Sequence, residues 1–296
     1  TIYSTMLRKI LLHLKTYGKW YILFALSVCS VIVWSVVVHE QRNGVLSVSF
    51  LDIGQGNATF IESPTGTQVI IDGGPNKNLM REVPSVIPWY DRNIDMLIVS
   101  HPDKDHYEGF ISLLDRYSVD VFMEPGISDT SGEYNFLKQK IISNKIPVVL
   151  ARRGQIIDIG GGAYIEILFP DRDVFGLETN NASIVSRLVY GDTSLIIQGD
   201  SPQVIENYLV GLDKDILDSD IIEVGHHGSK TSSSEMYIEA VSPQYAVISV
   251  GKDNTYGHPN KETLDVLNKN KVEILRTDEL GRITFKSDGD DFVLKK

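Results

Sequence analysis

The chain has 296 residues, of which 42% are hydrophobic and 23% are charged, and these proportions exclude a wholly disordered or collagen-like protein. Its 39 acidic residues outnumber its 28 basic residues, and the net charge of −11 argues against a protein that coats nucleic acid with its whole surface. The single cysteine, Cys29, excludes an intrachain disulfide and a four-cysteine zinc site, so metal ligands would have to come from the 7 histidines and the carboxylates.

The N-terminal part contains a predicted membrane-spanning helix. Residues 20–38 carry no charge, and at about 1.5 Å per residue a helix of this length is about 28 Å long, close to the hydrocarbon thickness of a bilayer. Basic residues lie mainly on its N-terminal side: Arg8, Lys9, Lys15 and Lys19 precede the run, and Arg42 follows it. This bias predicts a cytoplasmic N-terminus and an extracytoplasmic C-terminal part. A cleaved signal peptide and a buried helix of a soluble domain are the alternatives.

We therefore predict two parts, residues 1–43 with the cytoplasmic flank and the membrane helix, and residues 44–296 as one folded domain. The second part contains no linker rich in Pro, Gly and Ser and no internal repeat. Because the chain starts with Thr directly before a single span, a further hypothesis is that it is a piece of a longer membrane protein.

Short apolar runs typical of strands alternate with helical patterns throughout residues 44–296. Examples of the strand pattern are MLIVS (96–100), SLIIQG (194–199), IIEVG (221–225) and YAVISV (245–250). The strands come in groups joined by tight turns, so the sequence predicts an α/β (α+β) domain with sheets packed face to face and helices outside.

A cluster of ligand-type side chains follows the run MLIVS. His101, Asp103, Asp105 and His106 lie within six residues, and a tight turn after a buried strand can direct several of them to one point. Imidazole and carboxylate groups together suit one or two divalent metals. The alternative is a charged turn exposed to solvent.

Three further motifs follow apolar strands. Asp200 comes after Gly199, and His226 and His227 lie between two glycines, which allow close approach by backbone and ligand. His258 lies in the later loop Tyr-Gly-His-Pro (256–259), for which a Gly-Pro turn with an incidental histidine is an equal alternative. Beside the first cluster, metal binding becomes the better interpretation of Asp200 and the histidine pair.

Together these motifs resemble the metallo-β-lactamase fold and, more narrowly, the C-terminal domain of ComEC-type DNA-internalisation competence proteins. The resemblance is carried by FLDIGQGNATFIES (50–63), VIIDGG (69–74), LIVSHPDKDHYEGF (97–110), NNASIVSRLVYGDTSLIIQGD (180–200), VGHHGSKTSSS (224–234), VISVGKDNTYGHP (247–259) and RTDELGRI (276–283). It implies a four-layer αββα sandwich preceded by one transmembrane helix.

The resemblance also implies roles for individual residues. The implied metal ligands are His101, Asp103, Asp105, His106, Asp200 and either His226 or His227, and we favour His226 because it lies nearer the strand end. Asp52 and Asp72 match residues that support the site. We expect Asp105 and His258 to take part in catalysis. The candidate substrate-binding residues are Asn181, Ser229, Lys230 and His258, although Ser229 and Lys230 are equally typical of a polar helix cap.

The sequence departs from the family pattern at four places. Asp103 stands where a histidine is most frequent, and Asn180-Asn181 stands where a further metal histidine is expected. Asn57 replaces an aspartate, and Glu108 replaces a glycine and would add negative charge near a phosphate site. The extra oxygen ligands shift the expected cofactor, one or two Zn²⁺ or Mn²⁺ ions, toward Mn²⁺ at the first position.

The resemblance implies a metal-dependent phosphodiesterase or nuclease that acts on DNA outside the cell membrane. Its expected partners are DNA, the membrane, a DNA-uptake channel and other competence proteins. Two other functions stay open: hydrolysis of another ester by the same fold, and a non-catalytic module that guides DNA.

Overall fold

The computed structural model describes residues 2–39, 44–127 and 132–295, and it divides into two compact units, Thr1–Asn43 and Gly44–Lys296. The first unit is one helix, α1 (Ile2–His39), whose stretch Met6–Ser35 is long and apolar enough to cross a membrane, with a mean hydropathy of 1.5. The helix begins well before the predicted span of residues 20–38, because leucines continue the helical pattern toward the N-terminus. Thr1 and Arg42 lie outside the described residues.

The second unit contains all the strands of the described residues. They are β1 (Leu46–Phe50), β2 (Thr59–Glu62), β3 (Gln68–Ile71), β4 (Asn93–Ile98), β5 (Ser118–Glu124), β6 (Val148–Leu150), β7 (Ile156–Gly160), β8 (Ala163–Phe169), β9 (Val185–Tyr190), β10 (Thr193–Ile197), β11 (Ile221–Glu223), β12 (Tyr245–Ile248), β13 (Glu273–Arg276), β14 (Ile283–Ser287) and β15 (Phe292–Lys295). Its helices are α2 (Leu79–Val86), α3 (Lys104–Leu113), α4 (Gly132–Ser143), α5 (Gln203–Asp213), α6 (Glu235–Val241), α7 (Lys261–Lys269) and α8 (Thr277–Leu280).

The strands form two sheets in the described part of this unit. One sheet has the order β15-β14-β1-β2-β3-β4-β5-β6, and the other has the order β13-β12-β11-β10-β9-β8-β7. One apolar core lies between the sheets. A second core joins the first sheet to α2, α3 and α4, and a third joins the second sheet to α5, α6 and α7. The layers therefore follow the predicted order αββα.

Strand β4 shows why central strands read as continuous apolar runs. Met96 and Ile98 pack into the core between the sheets, whereas Leu97 and Val99 pack under the helices. Successive side chains of a strand point to opposite faces, so a strand that is covered on both faces needs apolar residues at nearly every position.

The topology brings the chemical motifs to one edge of the sandwich. In the first sheet β3, β4 and β5 are parallel, and in the second sheet β10, β11 and β12 are parallel. The carboxyl ends of β3 and β4 lead to Asp72 and His101, and those of β10 and β11 lead to Asp200 and His226. Motifs that are far apart in the sequence therefore meet at the carboxyl ends of the strands.

A glycine lets helix α3 approach the loop that follows β3. The backbone N–H of Gly109 donates to the carbonyl of Gly74 at 2.9 Å, and a Cβ atom added at Gly109 would collide with the carbonyl oxygen of Gly73. This close approach fixes the distance between α3, which carries His106, and the loop that begins with Asp72.

A carboxyl group is buried between the two sheets. Glu223, at the end of β11, is 1% exposed and accepts a hydrogen bond from the Thr59 hydroxyl of β2 at 3.2 Å. Burial raises the pKa of Glu223 to about 7 from its ordinary 4.5, and the negative charge of Asp72 adds to the shift.

We predict that Glu223→Gln stabilises the protein at alkaline pH. Below about pH 4.5 the carboxyl group is protonated in the folded and unfolded states, so the variant should gain nothing. Between pH 4.5 and pH 7 the unfolded chain loses its proton first, and above pH 7 the folded wild type must bury the charge. The variant should then be more stable by up to about 3 kcal/mol.

The measurement is thermal unfolding of the full chain in detergent with a chelator, at pH 5 and at pH 8. Glu239→Gln on the exposed face of α6 is the matched control and should show no such pH dependence. A difference in Tm between Glu223→Gln and wild type that is the same at both pH values would contradict the prediction.

Candidate metal centre

The site is organised around the Asp72 carboxylate at the end of β3. One of its oxygens accepts a hydrogen bond from the backbone N–H of Ser100 at 2.7 Å. Its other oxygen lies 2.7 Å from the Ser100 hydroxyl and 2.7 Å from Nδ1 of His106. Asp72 is 1% exposed, so this carboxylate joins the ends of β3 and β4 to the first turn of α3 inside the protein.

These hydrogen bonds set the orientation of two imidazoles. His106 donates its Nδ1 proton to Asp72, and Nδ1 of His101 lies 3.0 Å from the oxygen of Ser100. Because the Ser100 hydroxyl donates to Asp72, its oxygen accepts the proton of His101. In the neutral rings the proton is therefore on Nδ1, and the Nε2 lone pairs of His101 and His106 are free to bind a metal.

Asp200 lies opposite these two histidines. Its carboxylate is 3.2 Å from Nε2 of His106 and 3.7 Å from Nε2 of His101. Gly199 before it has a φ of +50°, and a Cβ atom there would collide with the Ser100 hydroxyl, so the strand end can pass this close only with glycine.

The histidine pair turns both rings toward the same carboxylate. His226 and His227 have φ values of 50° and 54°, in the left-handed region. Nδ1 of His227 donates to the Ser249 carbonyl at 3.0 Å, and its Nε2 lies 3.2 Å from Asp105 and 3.8 Å from Asp200. Nε2 of His226 lies 3.5 Å from Asp200.

Two groups of ligand atoms result among the described residues. His101, His106 and Asp200 form one group and Asp105, His106 and His227 form the other, with all ligand atoms of a group within 4.8 Å of one another. Nε2 of His101, Nε2 of His106 and one oxygen of Asp200 are buried and have no hydrogen-bond partner in the described structure. Buried polar atoms without partners are costly, and divalent cations would satisfy them, so these residues fit a metal.

The electrostatics of the groups agree with this fit. Burial raises the pKa of Asp200, but His106, His227 and His101 outweigh burial and hold that pKa well below its ordinary value. Burial likewise raises the pKa of Asp105, but the contact with His227 and the charges of His106 and His227 together outweigh burial and lower that pKa. Both carboxylates are therefore ionised, which is the form that binds a cation.

The structure brings together all the predicted metal ligands. Asp103 completes the set, with a carboxylate oxygen 3.6 Å from Nε2 of His101. His227 belongs to the tight group, whereas His226, which we favoured from the sequence, approaches Asp200 alone. The geometry thus favours His227 as the partner of Asp105, and the choice between the two histidines stays a prediction.

His258 lies at the edge of the same site. Its ring is 5.6 Å from the ring of His226 and 6.4 Å from that of His227. Asn254 holds the loop by accepting the backbone N–H of His258 and donating to its carbonyl. Burial lowers the pKa of His258, as do the neighbouring His227 and His226, so the free imidazole is neutral at pH 7.

The predicted substrate-binding residues differ in their surroundings. Asn181 lies in the 3₁₀ turn Asn180–Ala182, and the hydroxyl of Thr179, just before this turn, donates to the side chain of Asn180 at 3.4 Å. The Ser229 hydroxyl bonds to Thr231, and the backbone N–H of Lys230 donates to Asn260. These contacts fix the loop that follows the histidine pair. The side chain of Lys230 is exposed and gives this loop a positive charge.

The opening motif supports the site through its backbone. A Cβ atom at Gly56 would collide with the Asp105 carbonyl, and the backbone N–H of Asn57 donates to that carbonyl at 3.2 Å. Asp52 lies two residues after the end of β1 and is partly exposed. The Glu108 carboxylate accepts the backbone N–H of Asn76 at 2.9 Å, so it holds the loop after β3.

Several contacts of the site were not predicted from the sequence. Ser100, Ser249 and Thr231 hold imidazoles, and Glu223 is buried behind them. Among these residues, Ser100 alone could have been suspected from the sequence, because it directly precedes His101. The other residues reach the site only through contacts between distant parts of the chain.

The chain matches the family model of the Metallo-beta-lactamase superfamily over residues 51–252. It is 26% identical over 281 residues to ComE operon protein 3 of Bacillus subtilis (strain 168), with 88% of this chain and 35% of the relative covered. It is 30% identical over 239 residues to Competence protein ComA of Neisseria gonorrhoeae, with 81% of this chain and 32% of that relative covered. The chain thus spans about a third of the length of these relatives, and the predicted resemblance to competence proteins is confirmed.

Among solved structures, the fold is similar to that of Igni18, a metallo hydrolase from the archaeon Ignicoccus hospitalis KIN4/I. The TM-score is 0.53 at 11% identity, with 81% of this chain and 98% of that chain covered, so this similarity concerns the fold alone. The predicted fold class is confirmed, and the chain belongs to the metallo-beta-lactamase superfamily.

Proposed function

We propose that this chain is a metal-dependent phosphodiesterase that cuts DNA. The observation that carries the proposal is the set of four imidazole Nε2 atoms around Asp200, three of them on buried rings, each ring with its Nδ1 held by another protein group. The names of the relatives, a ComE operon protein and a competence protein, support DNA as the substrate.

The donor set supports two cation positions. We assign His101, Asp103 and Asp200 to the first position, and Asp105, His106 and His227 to the second, with Asp200 between them. The first set is richer in oxygen and suits Mn²⁺, whereas the second contains two imidazoles and suits Zn²⁺ or Mn²⁺.

The charge of the site also supports bound cations. Four carboxylates lie at or directly behind it: Asp72, Asp103, Asp105 and Asp200. Without cations they would repel a phosphodiester, and two divalent ions would offset their charge.

In this proposal the protein groups position water and the leaving oxygen. Divalent ions bound here would lower the pKa of water and withdraw charge from phosphate oxygens, which is the chemistry that hydrolysis at neutral pH needs. Asp105, kept ionised beside His227, orients the attacking water. His258 hydrogen-bonds to the phosphate, and the negative charge of the phosphate raises the pKa of His258 so that it can protonate the leaving oxygen.

We also propose that α1 anchors the domain in the cell membrane with residues 44–296 on the outer side. A helix of the charge-free residues 20–38 is about as long as the hydrocarbon part of a bilayer is thick, and basic residues precede it. Contacts with a DNA-uptake channel belong to the same proposal.

For metal binding, we expect His106→Ala to reduce the metal content of the purified full chain, because we assign His106 to the second position and its ligand atom also lies within 4.8 Å of those of His101 and Asp200. Asp72→Asn should weaken metal affinity by about 10- to 100-fold, since it disturbs the orientation of His106. Elemental analysis after dialysis against a weak chelator measures both effects. His13→Ala on α1 is the control, and wild-type metal content in His106→Ala would refute the ligand assignment.

For catalysis, we expect the full chain in detergent to cut single-stranded DNA in the presence of Mn²⁺ or Zn²⁺. A chelator or Asp105→Asn should abolish cutting, while Asp290→Asn at an exposed position should leave it unchanged. Gel electrophoresis of an end-labelled oligonucleotide is the measurement. Binding without cutting would instead favour the DNA-guiding function, and hydrolysis of other esters alone would favour a different substrate.

For topology, we expect a cysteine placed in the domain to be accessible from outside the cell. The variant Val293→Cys, in a chain that also carries Cys29→Ser, places a thiol at an exposed position of β15. A maleimide that cannot cross membranes should label it in intact cells, and should label Ser4→Cys only after the cells are opened. The reverse pattern would contradict the proposed orientation.

A further inference from the structure

A cleft of about 340 Å³ lies beside the metal centre, a volume within the range of small-molecule sites. It is lined by, among others, Phe169, Arg172, Leu177, Asn181, Val204 and Tyr208. We infer that this Arg172 cleft binds a nucleobase of the nucleotide next to the phosphate at the metal centre. The inference rests on the proposed function, because that function places a nucleic acid in the site.

The Arg172 cleft is next to the metal centre along the chain and in the fold. The backbone N–H of Ile184 donates to the carbonyl of Ser100, directly before His101, at 2.9 Å, and Asn181, three residues before Ile184, lines the cleft, so the two points are at most about 11 Å apart along the backbone. Val204, in the first turn of α5, follows Asp200 by four residues. A nucleotide adjacent to the scissile phosphate can therefore reach the cleft.

The guanidinium of Arg172 forms a fixed planar surface. Its Nε and Nη2 donate to the two oxygens of Asp171 at 2.7 and 3.0 Å, and Nη2 also lies 2.8 Å from the Tyr208 hydroxyl. The central carbon of the group is 5.1 Å from the centre of the Tyr208 ring. The side chain is 58% exposed, so part of the guanidinium plane beside the Tyr208 ring is open to a ligand.

The charge of this surface decides which part of a nucleotide it suits. The hydrogen bond from Arg172 lowers the pKa of Asp171 to about 2, so the carboxylate stays ionised and offsets the charge of the guanidinium. A phosphate would gain little from an arginine that is already paired, whereas a base can stack on the open plane. The neighbouring walls, Leu177 and Val204, are apolar and exposed, which also favours a flat uncharged group.

Asn181 adds a polar group at the other side of the cleft. Its side-chain amide has a hydrogen-bond donor and an acceptor, so it can hydrogen-bond to the acceptor and donor groups on the edge of a base. The nearest partner of its amide nitrogen is Glu178 at 3.5 Å, a long contact that a ligand can replace.

The test measures the affinity of two trinucleotides of equal charge, one with three 2-aminopurine bases and one abasic. The full chain in detergent carries Asp105→Asn, so the strand is not cut. We expect the base-containing strand to bind about tenfold more tightly than the abasic one, and Arg172→Lys to remove this advantage, because lysine keeps the charge and loses the plane. 2-Aminopurine fluorescence reports binding of the first strand, and competition reports binding of the second.

The matched control is Arg81→Lys on the exposed face of α2, which should bind both strands as the parent does. If Arg172→Lys weakens both strands equally, the residue contacts phosphate and the inference is wrong; equal affinities of the two strands in the parent also refute it. These results do not depend on cutting. If binding depends on the bases but the wild type does not cut DNA, the inference about the cleft holds and the proposed phosphodiesterase function is wrong. If the wild type cuts DNA but binding does not depend on the bases, the function holds and the inference about the cleft is wrong.

Discussion

The buried hydrogen bonds of Asp72 determine what the rest of the site can do. An imidazole offers a metal the nitrogen that does not carry its proton, so a group that fixes the proton on Nδ1 also fixes the ligand atom. Asp72 does this directly for His106 and through Ser100 for His101, and the Ser249 carbonyl does it for His227. Because Asp72 also accepts the backbone N–H of Ser100, the same carboxylate ties together the strand ends that carry these groups.

The two-sheet topology explains how a few short motifs can form the whole site. Each sheet contributes parallel strands whose carboxyl ends open at the same edge: four ligand-type side chains follow β4, one follows β10 and two follow β11. The close approach needs glycine where backbones meet, as at Gly199 against Ser100 and at Gly109 against Gly73. The cavity is therefore built by backbone packing, and its polar atoms are left facing one another without partners.

Much of this arrangement was predictable from the sequence, because ligand-type residues directly after apolar strands have few other uses. That pattern identified His101, Asp103, Asp105, His106 and Asp200. It did not separate His226 from His227, since both residues have a left-handed backbone that no strand pattern specifies. It also missed Glu223 behind the site, which depends on a contact between distant segments. The extra length of α1 was missed because charged residues interrupt its apolar pattern.

If this acidic domain acts on DNA, as we propose, its affinity for the polyanion has to come from local groups, and the site and the cleft would supply two different kinds. With a net charge of −11 the chain does not attract DNA over its whole surface, so affinity must come from a few positions. In our proposal cations held by the carboxylates would bind the phosphate, and Arg172 offers the base a plane whose charge Asp171 offsets. Binding then depends on stacking and on bound metal more than on diffuse charge, which suits a hydrolase that engages one stretch of a strand and must release it again.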